Sequence, residues 1–173
     1  IWNLVEVHSV QDHWSKEHVN DMAARLVLLD HESFSPDQAV TRAAFAAYMV
    51  RALGLYREGL PVVNKFTDIG TNKDYPSILI ANEWKIIQGY PDGTFKPDAT
   101  ITREEAMVMY SKAMDLVKIQ ENKAGRLTAY TDAHSVSNWA VVHVGRVLDA
   151  DIFKGRQNGT LDPKGTLTHA ESL

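Results

Sequence analysis

Residues 89–106 read GYPDGTFKPDATITREEA, a turn followed by a helix start. Pro91 presets φ at the second position of a β-turn and Asp92-Gly93 supplies the reversal, so Tyr90 to Gly93 reads as a tight turn. A calcium loop is the alternative for a Gly/Asp-rich stretch, but Thr94, Phe95 and Pro97 do not supply the alternating oxygen ligands that such a loop needs. Thr102, with Glu105 three residues on, forms a capping box in which hydroxyl and carboxylate satisfy two backbone donors. Met107, Tyr110, Met114 and Val117 then recur at helical intervals and predict a helix over 106–117. Arg103 fits neither role. It falls in the first helical turn, where the helix dipole is already positive and a cation costs about 0.3 kcal/mol.

The same order of landmarks occurs three times. Phe34-Ser35-Pro36-Asp37 leads to Thr41-Arg42, Phe95-Lys96-Pro97-Asp98 to Thr102-Arg103, and Leu161-Asp162-Pro163-Lys164 to Thr168-His169. Upstream of each turn stands an apolar residue, a spacer and an aspartate: Val10-Gln11-Asp12, Phe66-Thr67-Asp68 and Tyr130-Thr131-Asp132. An aromatic follows each, namely Trp14, Tyr75 and Trp139. Between aromatic and turn lies a helical pattern, as in Val19, Met22, Ala23, Leu26 and Leu29. The expected repeats are 7–57, 63–118 and 127–173, with 57–65 and 119–127 as linkers. Each is a helix, a turn, a short extended piece and a second helix. One such unit cannot bury its own apolar face, so the three should pack on one another. The last residues, THAESL, read as a helix's first turn, which suggests a fragment with a shortened third repeat.

The 173 residues carry 18 basic and 22 acidic side chains, a net charge of −4. No dense Lys/Arg run is present, which argues against nucleic acid as a partner. There is no cysteine, so disulfides and thiolate metal sites are excluded. No stretch approaches the ~20 apolar residues of a membrane span, and IWNLVEVHSV lacks the basic start of a signal peptide. Neither a cofactor nor a metal is expected.

Arg42 and Arg103 are open to two readings. One is a surface arginine paired with Glu104 or a neighbouring acid. The other is an anion site, because a helix N-terminus attracts anions and a guanidinium adds a bidentate fork. Trp14 and Trp139 are either core aromatics or sugar platforms. Asp12, Asp68 and Asp132 either serve caps and turns or touch a ligand.

The order apolar-x-Asp, aromatic, helix, GYPDGTFKPDATITREEA, helix resembles the S-layer homology domain, and three tandem copies cover nearly the whole chain. The resemblance implies an all-α fold, a pseudo-threefold spindle of helix-turn-helix repeats around a central bundle. It further implies a secreted, non-catalytic module that anchors its protein to a bacterial cell wall, Gram-positive for preference. The implied partner is an acidic secondary cell-wall polysaccharide with pyruvylated N-acetylmannosamine, bound in grooves between repeats, and self-assembly into an S-layer lattice is compatible with it. Ligand contacts carried over are Arg42, Arg103, Asp12 with Trp14, Asp68 with Tyr75, and Asp132 with Trp139. His169 stands where the third copy would carry arginine. Imidazole is mostly neutral at pH 7 and offers no fork, so this third site is expected to be weak or pH-dependent. A helical scaffold for protein partners fits the 61- and 66-residue spacing of the motif threonines poorly. A polysaccharide hydrolase would need its catalytic region elsewhere, because each acid singled out has a cap or turn to serve.

Overall fold

A computed structural model describes residues 5–59, 62–119 and 125–173; parts of both expected linkers and the first four residues lie outside these. The described residues hold six α-helices, α1 (Lys16–Ala24), α2 (Arg42–Ala52), α3 (Tyr75–Glu83), α4 (Arg103–Val117), α5 (Val141–Asp149) and α6 (His169–Ser172), with short 3-10 turns and no strand. The all-α class expected from the sequence holds. The chain divides into two compact units, one formed by 1–100 with 167–173, the other by 101–166.

The starts of α2, α4 and α6 follow the sequence closely, whereas α1, α3 and α5 begin without a side-chain cap. Thr102 and Thr168 form complete capping boxes with Glu105 and Glu171, while Thr41 makes only the half box, accepting from the Ala44 amide. α1 departs from expectation, ending at Ala24 and leaving Leu26 and Leu29 beyond the helix. The cause is a Schellman close. The Leu26 amide donates to Ala23 and the Val27 amide to Met22, which forces Leu26 to φ 61°. α3 and α5 end in the same way, with Lys85 and Asp151 in the left-handed position. Glycine usually marks this close, and its absence hid all three ends. Leu26 is an exposed residue in a conformation that costs a side-chain-bearing residue about 1–2 kcal/mol. Leu26→Gly should therefore raise the unfolding free energy by about 1 kcal/mol, as read from denaturant midpoints.

The apolar-x-Asp landmark is a clamp on its own repeat's turn. In unit one the Phe66 ring lies over Gly89, the Thr67 amide donates to the Gly93 carbonyl, and Asp68 accepts the amides of Phe95 and Lys96, both at 2.8 Å. In unit two Tyr130 lies over Gly155, Thr131 donates to Gly159, and Asp132 accepts from Leu161 and Asp162. Burial pushes the Asp132 carboxyl up, but those two amides outweigh it and hold the group below the usual carboxylate range. The first copy shows no such carboxylate clamp among the described residues, and its Val10 and Leu28 are buried.

In unit two α4 packs on α5 along a polar seam. Ser111 Oγ lies 2.9 Å from His143 Nδ1, and Arg146 reaches Ser111 and Asp115. Burial, then the Lys112 and Arg146 charges, lower the affinity of His143 for a proton. The unfolded chain therefore binds that proton more readily, so the seam's contribution is complete above about pH 6.5 and declines as pH falls. Melting temperature should drop between pH 7.5 and 5, and drop less in His143→Gln, which keeps a partner for Ser111.

Candidate functional site

The backbone amides at a helix start have no partner within the helix. Here they are taken by carbonyls of a distant turn. The amides of Arg42 and Ala43 donate to Ala99 and Pro97, and those of Arg103 and Glu104 to Gly165 and Pro163, at 2.8 and 3.0 Å in both units. The amides of His169 and Ala170 likewise donate to Gln38 and Pro36.

The motif arginines extend this pattern. Arg103 is 3% exposed; its Nε donates to Leu161 O and an Nη to Lys154 O, both at 2.9 Å. Its guanidinium also sits 4.7 Å from the centre of the Phe153 ring. Arg42, 6% exposed, donates from Nε to Phe95 O and lies between 4.8 and 4.9 Å from the centres of Tyr90 and Phe95. Neither is the solvated surface arginine that one sequence reading allowed. The cation at an electropositive helix end is offset by carbonyl oxygens and aromatic faces. Glu104 does not pair with Arg103 among the bonds described; it is buried, accepting from the Ser137 amide and hydroxyl and from Lys164.

The aromatics behave oppositely. Trp14, Tyr75 and Trp139 are 73%, 47% and 57% exposed, which removes the core reading for them. Asp68 and Asp132 are committed to the turns described above, whereas Asp12 is exposed and makes no such bond among the described residues.

His169 opens onto a cleft of about 390 Å³ in unit one. The first-copy turn supplies Asp30 and Phe34, α2 supplies Tyr48 and Arg51, and the segment before α3 supplies Lys73 and Asp74. Lys73 pairs with Asp30 and Arg51 with Asp74, each at 3.4 Å. Burial pushes the Asp74 carboxyl up although Arg51 pulls it down, and burial pushes the Tyr48 phenol well above its ordinary value. Of the residues predicted from the sequence, only His169 lines this cleft; Tyr75 follows directly after Asp74 in the chain. Tyr48, Arg51 and Lys73 were missed because they lie outside the turn motif. One signal was available: Arg51 and Lys112 both stand nine positions after a motif arginine.

Tandem helix-turn-helix copies, with a mixed-charge cleft in unit one that Phe34, Tyr48 and His169 help to line, define a helical repeat module. The sequence model of the S-layer homology domain matches residues 65–107 and 129–171, and the chain belongs to that family. The first copy lies outside the matched segments, although longer relatives align across it. An amylopullulanase of Thermoanaerobacterium thermosulfurigenes is 28% identical over 169 residues, 95% of this chain and 9% of the relative. Exoglucanase XynX of Acetivibrio thermocellus is 28% identical over 97% of this chain and 16% of its own length. A cellulosome-anchoring protein of Acetivibrio thermocellus is 37% identical over 86 residues, 49% of this chain and 19% of the relative. The chain thus spans less than a fifth of each.

Proposed function

We propose that this chain is a cell-surface anchoring module of an exported bacterial protein, holding a secondary cell-wall polysaccharide non-covalently. The charged sugar is pyruvylated N-acetylmannosamine, whose ketal carboxylate is the anion sought by the cations of the cleft. The observation that carries this reading is the unit-one cleft, where Lys73 and Arg51 stand beside hydroxyl and amide donors at the surface. Trp14, Tyr75 and Trp139 serve as exposed faces against which sugar rings pack. Asp12 is the aspartate available to sugar hydroxyls. Asp68, Asp132, Arg42 and Arg103 act by holding the turns that shape the binding surface. The proposed repeats are 7–57, 63–118 and 127–173. Wall anchoring fits the relative named as cellulosome-anchoring, and assembly into a lattice is compatible with it. The relatives named as glycan hydrolases support a second use of the same module, as the anchor of an enzyme. No catalytic role is assigned within these residues, since Asp68, Asp132, Glu104 and Glu105 are each committed to backbone or cap partners.

Retention on purified cell-wall sacculi tests the reading. Binding should vanish when the secondary polymer is stripped, and Lys73→Glu should weaken it about tenfold, or ~1.4 kcal/mol. Lys73 is exposed, so its loss should leave the melting temperature unchanged. Equal retention on stripped walls, or capture by a wall protein instead, would exclude polysaccharide anchoring.

A further inference from the structure

His169 occupies the position that arginine holds in α2 and α4, and it is too short to repeat the arginine's bond to a turn carbonyl. Its Nδ1 lies 2.8 Å from the Tyr48 hydroxyl, and its ring meets Phe34 and Tyr48 edge-on, at 73° and 70°. Every other charge lining the cleft is balanced. Arg51 and Lys73 face Asp74 and Asp30, two cations against two carboxylates. On its own element the nearby acid, Glu171, is engaged by the Thr168 amide. The ionisation of His169 therefore decides whether the cleft is neutral or carries one net positive charge.

We propose that the unit-one cleft is a proton-linked carboxylate site, in which protonated His169 both supplies the net charge and turns the Tyr48 hydroxyl toward the ligand. This rests on the anchoring function proposed above. The second effect follows from donor and acceptor rules. A protonated imidazole can only donate, so Nδ1–H must point at the Tyr48 oxygen. The phenol hydrogen then turns to another acceptor, and a carboxylate in the cleft provides one. Both changes favour an anion.

Burial, and then the Lys73 ammonium, hold the free His169 ring below its ordinary range, so the empty cleft is neutral at pH 7. A bound carboxylate opposes both effects by favouring the charged ring. Binding then takes up a proton, and by linkage affinity rises as pH falls. The device is confined to the one motif helix that carries histidine.

Two measurements on the intact chain test this. The His169 ring is titrated by NMR with and without added pyruvate as a small carboxylate probe, and retention on sacculi is compared at about pH 7.5 and pH 5.5. Pyruvate should raise the His169 midpoint, and wild-type retention should increase about fivefold at the lower pH. In His169→Gln, which keeps a hydrogen bond to Tyr48, the ratio should fall to that of the wall itself, near one. In His169→Arg it should be flat as well. A His169 midpoint indifferent to pyruvate, or a His169→Gln ratio equal to wild type, would overturn the proposal. Loss of sacculus retention at both pH values, with the pyruvate effect intact, would instead remove the anchoring function and leave the carboxylate site standing.

Discussion

Arg103→Ala is expected to destabilise residues 101–166 by about 3–5 kcal/mol, enough to lower the melting temperature by roughly 10 °C. The loss has two parts. Truncation leaves a cavity against Phe153, and it strands the carbonyls of Leu161 and Lys154 in a site with little access to water. A stranded buried acceptor costs about 1–3 kcal/mol, more than the ordinary worth of the bond. Arg103→Lys separates charge from geometry. It keeps the cation and most of the stem but cannot address two carbonyls from one planar group, so it should recover less than half of the loss. Calorimetry on the three proteins checks the order. A near-neutral Arg103→Ala would mean that the carbonyls find water and that the arginine is free for ligand after all. The result also governs how binding data are read, because lost wall retention in an arginine variant can reflect a melted turn as easily as a missing contact. For that reason exposed Lys73 is the better probe of binding.

The second large effect is at Gly89. A Cβ there would stand 2.4 Å from Phe66 Cε1 and 2.6 Å from the Thr94 carbonyl oxygen. The carbonyl cannot retreat, because it accepts the Tyr90 amide at 2.8 Å within the same turn. Gly89→Ala should cost about 3 kcal/mol, in the range of overpacked cores. Gly155→Ala should do the same beneath Tyr130, where the ring carbon would be 2.1 Å away. The ring side of this clash can be relieved by a smaller side chain in place of Phe66. Phe66→Val should therefore recover part of the Gly89→Ala loss, and a double-mutant cycle from urea unfolding should give a coupling of about 1 kcal/mol or more. Strict additivity would show that the Thr94 carbonyl alone sets the cost.

These residues also mark what the sequence could and could not disclose. The starts of the Thr-capped helices were legible because a cap is local: Thr102 and Glu105 lie three apart, and both partners are visible in one glance at the chain. The repeat was legible because its landmarks recur in order. Ends of the first helices were not, since Leu26, Lys85 and Asp151 adopt a glycine's conformation without being glycine. The arginines misled for a related reason. Their partners, Phe95 for Arg42 and Leu161 for Arg103, are main-chain oxygens that any residue presents, so no residue type announced them. Trp14 and Trp139 could not be divided between core and surface by spacing, and their exposure decided it. The cleft was least visible of all, being assembled from Asp30, Tyr48, Lys73 and His169, which share no motif.

The way the motif helices are capped sets the order in which this chain can fold. A solenoid repeat closes on its neighbour as soon as the neighbour is made. Here the start of α2 waits for the carbonyls of Pro97 and Ala99, and the start of α4 for those of Pro163 and Gly165. Unit one is completed only by residues 167–173, whose His169 bonds Gln38 and Tyr48 from the far end of the chain. Such contacts must close long loops before they repay the entropy lost, so folding should be slow for an all-helical protein of this size. While residues beyond 100 are missing, the extended piece before α2 keeps its Val40 amide without Leu167, and the first copy stays a partner in waiting.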